Sequence, residues 1–374
     1  MINKTIYHYK NLVSLYTNAY PNSVKEFNES YSVKFITYIK AWFGVLYLLA
    51  LKIDHSRVFY FESFRNSELM DLIPPDKITI LGGNDDKSKS SDRGYGFFWI
   101  AGIVAAIIVA AEKGNLLPLK LQVLICKWKL NGKKKYFLLY EDTLPVGTFF
   151  ALLGNECNIP TICIQHGFGT AGEILFDGQL CRHNFLYSLS QEKLINAKQS
   201  VFYELGPPFE VRNPVNESNE IILIGTGWKG LSPAFYEKSL AVYGQIKVSL
   251  EKFGWQVMYR PHPNENDTDY SQYFSQIDKR SKIDCLSDSR KIYIGYISTL
   301  LYEAKIFGHG VINIKDKAMP ELAFNTHLEI DISKLHNIDS NIRFVHQKIS
   351  EENVEILPPL ETRFFSAFNK IAYR

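Results

Sequence analysis

The sequence has few cysteines, and they follow no regular spacing. The five are odd in number and include no C-x-x-C pair: Cys126, Cys157, Cys163, Cys181 and Cys285. This pattern indicates neither a disulfide framework nor a zinc site, and it favours a reducing cytosol. The chain also lacks a strong net charge, since 42 basic and 39 acidic residues give +3. Composition therefore makes no general case for nucleic-acid binding, and local motifs must indicate the function.

No apolar run reaches the length of about 20 residues that a membrane-spanning helix requires. The run 97–111 is closed by Glu112, Lys113 and Gly114, so we predict a buried helix, with a membrane-inserted segment as the alternative. The shorter run 41–50 predicts a core helix or an interfacial one. The first residues contain no signal-peptide type of apolar stretch. We expect a cytoplasmic protein.

Membrane contact remains open at the level of sequence. The aromatic N-terminal helices or the lysines at 133–135 suit peripheral contact with the cytoplasmic face of an inner membrane. A solvated basic loop is the alternative explanation of the three lysines.

Strand-type and helix-type stretches alternate through the 374 residues, which predicts an α/β protein with two domains. We predict a Rossmann-like acceptor-side domain over 1–212 and a Rossmann-like nucleotide-sugar domain over 213–345. A helical segment over 346–374 is expected to pack back onto the first domain. The polar stretch 212–219 is interpreted as the linker between them.

An arginine and a histidine follow one predicted strand of the second domain. The apolar run 255–259 ends in Arg260, Pro261, His262 and Pro263. Proline on both sides removes two backbone donors and holds the histidine on a stiff loop. In an open parallel sheet, ligands bind at the carboxyl ends of the strands. A guanidinium and an imidazole there suit a phosphate group or a departing nucleotide.

Two hydroxyl residues follow another predicted strand. Ser298 and Thr299 come after the run 291–297 and precede the helix-type stretch 300–307. Hydroxyls and unpaired N–H groups at a helix N-terminus form an anion site, although an ordinary N-cap explains one hydroxyl equally well. Because parallel strands end at the same edge, we expect this pair to lie beside residues 260–263.

Glycines and an acidic residue extend this predicted site. Gly225, Gly227 and Gly230 follow a strand in the order of a dinucleotide fingerprint, but the side chains between the last two are bulky for a pyrophosphate turn. We interpret the loop, with Gly227, as a flexible nucleotide-side or interdomain loop, and a plain turn is the alternative. Glu303 lies one helical turn after the hydroxyl pair and either reaches a ribose or base or faces solvent.

The first domain supplies candidates for a general base. Glu141 and Asp142 follow the strand-type run 136–140, and His166 follows the run 161–165. Adjacent acids repel, which raises the proton affinity of one of them. A histidine at a strand end also suits proton transfer or stabilisation of negative charge. A solvated strand end and an ordinary loop histidine are the alternatives.

The order of these motifs resembles that of bacterial sialyltransferases of the GT-B type. The resemblance implies two Rossmann-like domains with the active site in the cleft between them. It also implies that His262, Ser298 and Thr299 hold the phosphate of a cytidine monophosphate donor, and that Asp142 or Glu141 activates the acceptor hydroxyl. Thr143 stands where those families have glycine.

The segment 159–167 is similar to the Gln-His-Gly or Trp-His-Gly element of capsule and teichoic-acid transferases, including Kdo transferases. That likeness implies a catalytic role for His166, so the acidic pair and His166 are both candidates for the general base.

Together these features predict an inverting glycosyltransferase that needs no cofactor beyond its donor. The expected donor is a CMP-activated sugar, sialic acid or Kdo, and the expected acceptor is a lipopolysaccharide, O-antigen or capsule glycan. No Asp-x-Asp follows a predicted strand, and arginine, histidine and a helix N-terminus neutralise a leaving phosphate without metal. The alternatives are a UDP-sugar transferase or 2-epimerase of the same fold, and a non-catalytic partner in glycan assembly.

Overall fold

A computed structural model describes residues 1–19, 34–51, 58–60, 67–74, 78–80, 93–130, 136–139, 145–165, 180–194, 200–227, 229, 232–263, 265–317, 322, 324–352 and 356–372. These residues form two compact units. The first contains the described residues up to 165, from 180 to 209 and from 360 onward, and the second contains those from 210 to 359.

Helices and strands alternate along most of the chain. The helices are α1 (Ile2–Ala19), α2 (Phe35–Ala50), α3 (Ser67–Asp71), α4 (Arg93–Lys113), α5 (Leu117–Leu130), α6 (Pro145–Glu156), α7 (Pro233–Glu251), α8 (Asp267–Tyr270), α9 (Lys282–Ser287), α10 (Thr299–Ile306), α11 (Ile338–Glu351) and α12 (Leu360–Ala372). Short 3-10 helices cover Leu189–Leu194 and Ile332–Asn337.

The strands are β1 (Val58–Tyr60), β2 (Ile78–Ile80), β3 (Phe137–Leu139), β4 (Thr161–Ile164), β5 (His183–Leu186), β6 (Val201–Glu204), β7 (Glu217–Ile224), β8 (Gln256–Arg260), β9 (Arg290–Gly295), β10 (Gly310–Lys315) and β11 (Leu328–Asp331).

Each unit contains one parallel sheet. The first sheet has the strand order β2-β1-β3-β4-β5-β6, and the second has β11-β10-β9-β7-β8. Every strand pairing described is parallel. Strands buried on both faces explain the continuous apolar runs, because β3 and the last four residues of β7 are buried throughout. All carboxyl ends in one sheet therefore lie at one edge.

The predicted linker extends too far into the second unit. Residues 212–219 were expected to be irregular, but β7 begins at Glu217, which pairs with Arg290 of β9. The first half of this strand is largely solvent-accessible, so its polar residues satisfy the strand geometry without showing an apolar pattern. This correction shortens the irregular stretch by three residues.

The apolar run 97–111 lies within α4, and the prediction of a buried helix is confirmed. It packs on α2 through two glycines, since a Cβ on Gly44 would lie 2.6 Å from the Cα of Gly102. The buried side chain of Gln122 joins both helices by donating to the carbonyl oxygens of Ala41 and Gly102. Within the described ranges, no helix is both long and apolar enough to span a bilayer.

The last helix, α12, belongs to the first unit. Its Phe364 ring packs edge-on against Phe185 of β5. The buried guanidinium of Arg363 donates to the carbonyl oxygens of Leu205, Pro207 and Phe209, just after β6. The helix is thereby tied to the edge of the first sheet.

Candidate functional site

Three loops meet at the carboxyl-end edge of the second sheet. Strand β7 lies between β9 and β8, so the residues that follow these three strands are neighbours. They are Gly225 to Gly227 after β7, Pro261 to Pro263 after β8, and Tyr296 to Thr299 after β9. The structure therefore places the glycines, His262 and the hydroxyl pair at one edge, where open parallel sheets bind ligands.

The His262 ring lies directly against Gly227. A Cβ built on Gly227 would be 2.7 Å from Cε1 and 2.9 Å from Nε2 of that ring. Gly225 is enclosed by backbone and side chains, because its Cβ would lie 2.6 Å from the His262 backbone nitrogen and 2.8 Å from both the Glu265 Oε2 and the Tyr259 hydroxyl oxygen. The Gly225 N–H donates to the Arg260 carbonyl oxygen at 2.8 Å. Gly225 and Gly227 therefore pack directly against His262.

A buried carboxylate supports the histidine loop from below. Glu265 is 9% exposed, and its Oε2 accepts hydrogen bonds from the Tyr259 hydroxyl at 2.8 Å and from the His262 N–H at 3.2 Å. Burial raises the pKa of this carboxyl to about 6, although both hydrogen bonds act in the opposite direction. Sequence reasoning missed Glu265, and the only signal was an acid two residues after a Pro-His-Pro motif.

Ser298 is the N-cap of α10. Its hydroxyl accepts a hydrogen bond from the Leu300 N–H at 3.2 Å, and Thr299 is the first residue of the helix. Ser298 and Thr299 are both half-buried at the sheet edge. The first-turn N–H groups and the dipole of the helix make its N-terminus favourable for an anion.

Glu303 lies one turn further along α10 and is only 2% exposed, which contradicts the alternative in which it faces solvent. Its Oε1 accepts a 2.9 Å hydrogen bond from the ammonium group of Lys282, the first residue of α9. This contact fixes the direction of the carboxylate. The structure therefore puts an oriented acceptor beneath the helix N-terminus.

Arg260 is engaged by acidic and carbonyl groups of its own unit. Its Nη1 donates to Asp278 at 2.7 Å and to the Arg280 carbonyl oxygen at 3.1 Å. Asp278 is fully buried and also accepts from Arg280 and from the thiol of Cys285. Although burial raises the pKa of Asp278, these hydrogen bonds outweigh it and leave the pKa below its ordinary value. This network anchors the end of β8.

Four buried polar atoms near this edge have no hydrogen-bond partner among the described residues. They are Oγ1 of Thr226, Oε1 of Glu265 and the hydroxyl oxygens of Tyr236 and Tyr296. Each residue follows β7, β8 or β9, or lies in the first turn of α7, the helix after β7. Buried polar atoms are normally paired, so these four atoms have hydrogen-bonding capacity left for a polar group outside the described residues.

Lys229 fixes the far side of the glycine loop. Its ammonium group contacts both carboxylate oxygens of Asp269 on α8, at 2.7 and 2.6 Å. This lysine was judged bulky for a pyrophosphate turn, and the structure shows it bonded to a neighbouring helix of the same unit. Spacing in sequence offers no sign of this pair, since 40 residues separate its members.

The predicted general bases lie outside the described residues. These are Glu141, Asp142 and His166. The residue before the histidine is described: Gln165 follows β4, and its Oε1 accepts from the Tyr187 N–H at 2.9 Å. Across the described part of the chain, no group of three or more His, Cys, Asp or Glu side chains is arranged to hold a metal ion.

Comparison with solved structures shows which known fold the chain has. A structure of a putative UDP-N-acetylglucosamine 2-epimerase from Listeria monocytogenes matches 86% of this chain and 97% of its own, with a TM-score of 0.52 and 10% identity. The chain has the GT-B fold. Two parallel sheets flanked by helices agree with that assignment. The predicted fold class is confirmed.

Other GT-B structures match with lower scores. The S. aureus MnaA–UDP co-structure covers 85% of this chain and 96% of its own, at a TM-score of 0.49 and 8% identity. A structure of the wall teichoic acid polymerase TagF covers 93% of each chain, at 0.45 and 10% identity. No protein-family model and no curated protein sequence matches the chain. The likeness is therefore one of fold.

Proposed function

We propose that this GT-B protein is a nucleotide-sugar-dependent enzyme that binds its donor at the carboxyl-end edge of the second sheet. The observation that carries the proposal is the contact between His262 and Gly227 beside the N-terminus of α10. An imidazole, an N-capping hydroxyl and a helix N-terminus supply three kinds of donor to a phosphate oxygen. The nearby hydroxyl and carboxylate oxygens that have no partner among the described residues supply further polar contacts.

The reaction we propose is transfer of the donor's sugar to an acceptor hydroxyl. In this mechanism His262, with Ser298 and Thr299, binds the leaving phosphate and stabilises the charge that develops on it. Glu303 is oriented by Lys282 and accepts from a ribose hydroxyl. Arg260 acts on the phosphate through its charge, and its bond to Asp278 fixes its position.

For the base we keep Asp142, Glu141 and His166 as candidates, because the sequence places each of them after a strand of the first sheet. Replacement of the true base by Asn, Gln or Ala should lower kcat by about 10²-fold or more and leave the nucleotide Kd unchanged. If a replacement weakens nucleotide affinity as much as it lowers kcat, the replaced residue is not the base.

The identity of the nucleotide distinguishes two donor classes. The fold match favours a UDP-sugar, since the matching structure is that of a putative UDP-N-acetylglucosamine 2-epimerase. The resemblance of the sequence motifs to those of bacterial sialyltransferases and Kdo transferases favours a CMP-sugar, sialic acid or Kdo. Thermal shift with UDP, CDP and CMP tests both classes, because ligand at 100 times its Kd stabilises the folded state by about 2.7 kcal/mol. We expect one nucleotide to raise Tm by about 5 °C or more.

The His262→Ala variant tests the site itself. It should lose most of the Tm shift given by the best nucleotide, and turnover should fall below detection. The matched control is His336→Ala, which changes an exposed histidine of the same unit and should keep the full shift. Equal shifts in His262→Ala and wild type would refute the proposed site.

A UDP-sugar 2-epimerase is the second candidate, because the Listeria structure matches over 97% of its length. Incubation with UDP-N-acetylglucosamine and no acceptor separates the two, with products followed by NMR. An epimerase yields the 2-epimer and keeps the UDP linkage, whereas a transferase yields slow hydrolysis to free UDP and sugar. If neither product forms with UDP-sugar or CMP-sugar donors, the protein is a non-catalytic partner in glycan assembly.

A further inference from the structure

The first unit exposes an apolar stripe along α2. Phe35, Ile39, Trp42, Leu46 and Leu49 recur at helical spacing and are all exposed, with Leu46 at 64%. At 100° per residue these positions fall on one side of the helix. The opposite side, with Ala41, Gly44, Val45 and Leu48, is buried against the rest of the unit. The helix therefore presents apolar side chains to its surroundings as well as to the core.

A second apolar stripe lies on α5. Leu117, Leu124 and Trp128 are spaced by seven and four residues and are exposed, with Trp128 at 72%. The two stripes are neighbours because Lys129 links them: its ammonium group donates to the Leu49 carbonyl oxygen at 2.9 Å and lies 5.9 Å from the centre of the Trp128 ring. We call the stripes on α2 and α5 together the apolar face.

The charged side chains on the two helices that form the apolar face are all basic. The sequences of α2 and α5 contain no Asp or Glu. Lys34 precedes α2, while Lys40 of α2 and Lys120 of α5 are both exposed. A second copy of this face would bring lysines against lysines, with no acidic side chain of either helix to pair with them. An anionic lipid surface offers the complementary charge as well as an apolar interior.

We propose that the apolar face docks on an anionic bilayer, with α2 and α5 lying along the interface between headgroups and acyl chains. Tryptophan, phenylalanine and leucine on the inner side and lysine at the border are the composition of interfacial helices. Peripheral contact of this kind requires no membrane-spanning helix. The inference uses only the first unit and does not depend on the donor site proposed above.

Flotation of the full chain with lipid vesicles tests the proposal. We expect binding to vesicles of phosphatidylcholine mixed with phosphatidylglycerol, at least about tenfold weaker binding to phosphatidylcholine alone, and weakening with added salt. Leu46→Ser combined with Trp128→Ser should reduce binding to the mixed vesicles by at least about tenfold. Lys40→Gln combined with Lys120→Gln should reduce it on the mixed vesicles only.

Two controls keep the test specific. Phe253→Ser and Phe344→Ser alter side chains of the second unit that are similarly exposed, 58% and 54%, and should bind like wild type. Circular dichroism and Tm establish that each variant is folded. With brominated lipids, tryptophan fluorescence should be quenched in wild type, and Trp42→Phe combined with Trp128→Phe should remove that quenching.

Three results would overturn the proposal. The first is a wild-type protein that stays unbound to anionic vesicles at low salt, and the second is a Leu46 and Trp128 variant that binds as tightly as wild type. The third is a stable dimer in solution that this variant dissociates, with no vesicle binding by either protein, which would assign the face to a second copy of the chain.

Discussion

Replacement of Glu265 by glutamine should change how the stability of the second unit depends on pH. Glutamine keeps an acceptor for the Tyr259 hydroxyl and the His262 N–H, and it removes the charge. The wild-type carboxyl has its pKa raised from 4.5 to about 6 because it is buried. A raised pKa means that the folded state holds the proton more tightly than the unfolded state does. The stabilisation is complete below pH 4.5 and is lost as pH rises through about 6.

The expected size follows from that change in pKa. Each tenfold change in proton affinity is worth about 1.4 kcal/mol, so the whole effect is about 2 kcal/mol. Between pH 5.0 and 7.5 the wild type should lose about 1.2 kcal/mol that the variant does not lose. At pH 7.5 the variant should therefore equal or exceed the wild type in stability, because an ionised buried carboxylate is costly.

Urea unfolding at several pH values measures this difference, since other titrating groups contribute equally to both proteins and cancel. Trp255 reports on the second unit, where its indole N–H donates to Asp339. Glu237→Gln is the matched control, because Glu237 is an exposed acid on α7 of the same unit and its profile should follow that of the wild type. Parallel profiles for Glu265→Gln and wild type would refute the assignment of Glu265 as a desolvated carboxylate.

Three further predictions follow from close contacts. Gly227→Ala should weaken nucleotide binding by about tenfold with little change in Tm, because its Cβ displaces only the His262 side chain. Gly225→Ala should instead lower Tm, because its Cβ meets the His262 backbone nitrogen. Thermal shift with and without nucleotide measures both effects, and the reverse pattern would contradict this prediction. Gly102→Ala should cost about 1–3 kcal/mol in urea unfolding, since its Cβ would lie 2.5 Å from the Gly44 Cα, and an unchanged midpoint would exclude the tight helix crossing. Arg363→Ala should lower the free energy of unfolding by about 3 kcal/mol or more, because three carbonyl oxygens lose a buried charged donor. Proteolysis near residue 360 should also accelerate in the folded protein. An unaltered cleavage rate would argue that packing holds α12 in place.

Much of the second unit was predictable from local pattern. Its central strands are continuous apolar runs that end at glycine, proline or serine, so their carboxyl ends were visible before the structure. Parallel pairing then requires His262 and Ser298 to share an edge. The same reasoning identified α4 as buried, because its apolar run is too short to span a membrane and is closed by charged residues.

The site's finer geometry was not visible in the sequence. Arg260 has the composition of a phosphate ligand, yet its direction depends on Asp278, which lies 18 residues away and is held by two other donors. The sequence was equally compatible with a Glu303 side chain that faces solvent, whereas in the structure this side chain is buried and bonded to Lys282. Side chains of this kind are placed by long-range packing, which residue spacing does not encode.

The amino-acid pattern determined which segments become strands, which edge of each sheet gathers polar residues, and the α/β class with two domains, because these depend on local periodicity and on the geometry of parallel pairing. Three features were decided by tertiary structure: the His262 ring against Gly227, the buried Glu265 beneath it, and the exposure of one side of α2. The physical reason is the same for each. Whether a side chain is buried, charged or exposed depends on what packs beside it, and those neighbours are distant in sequence.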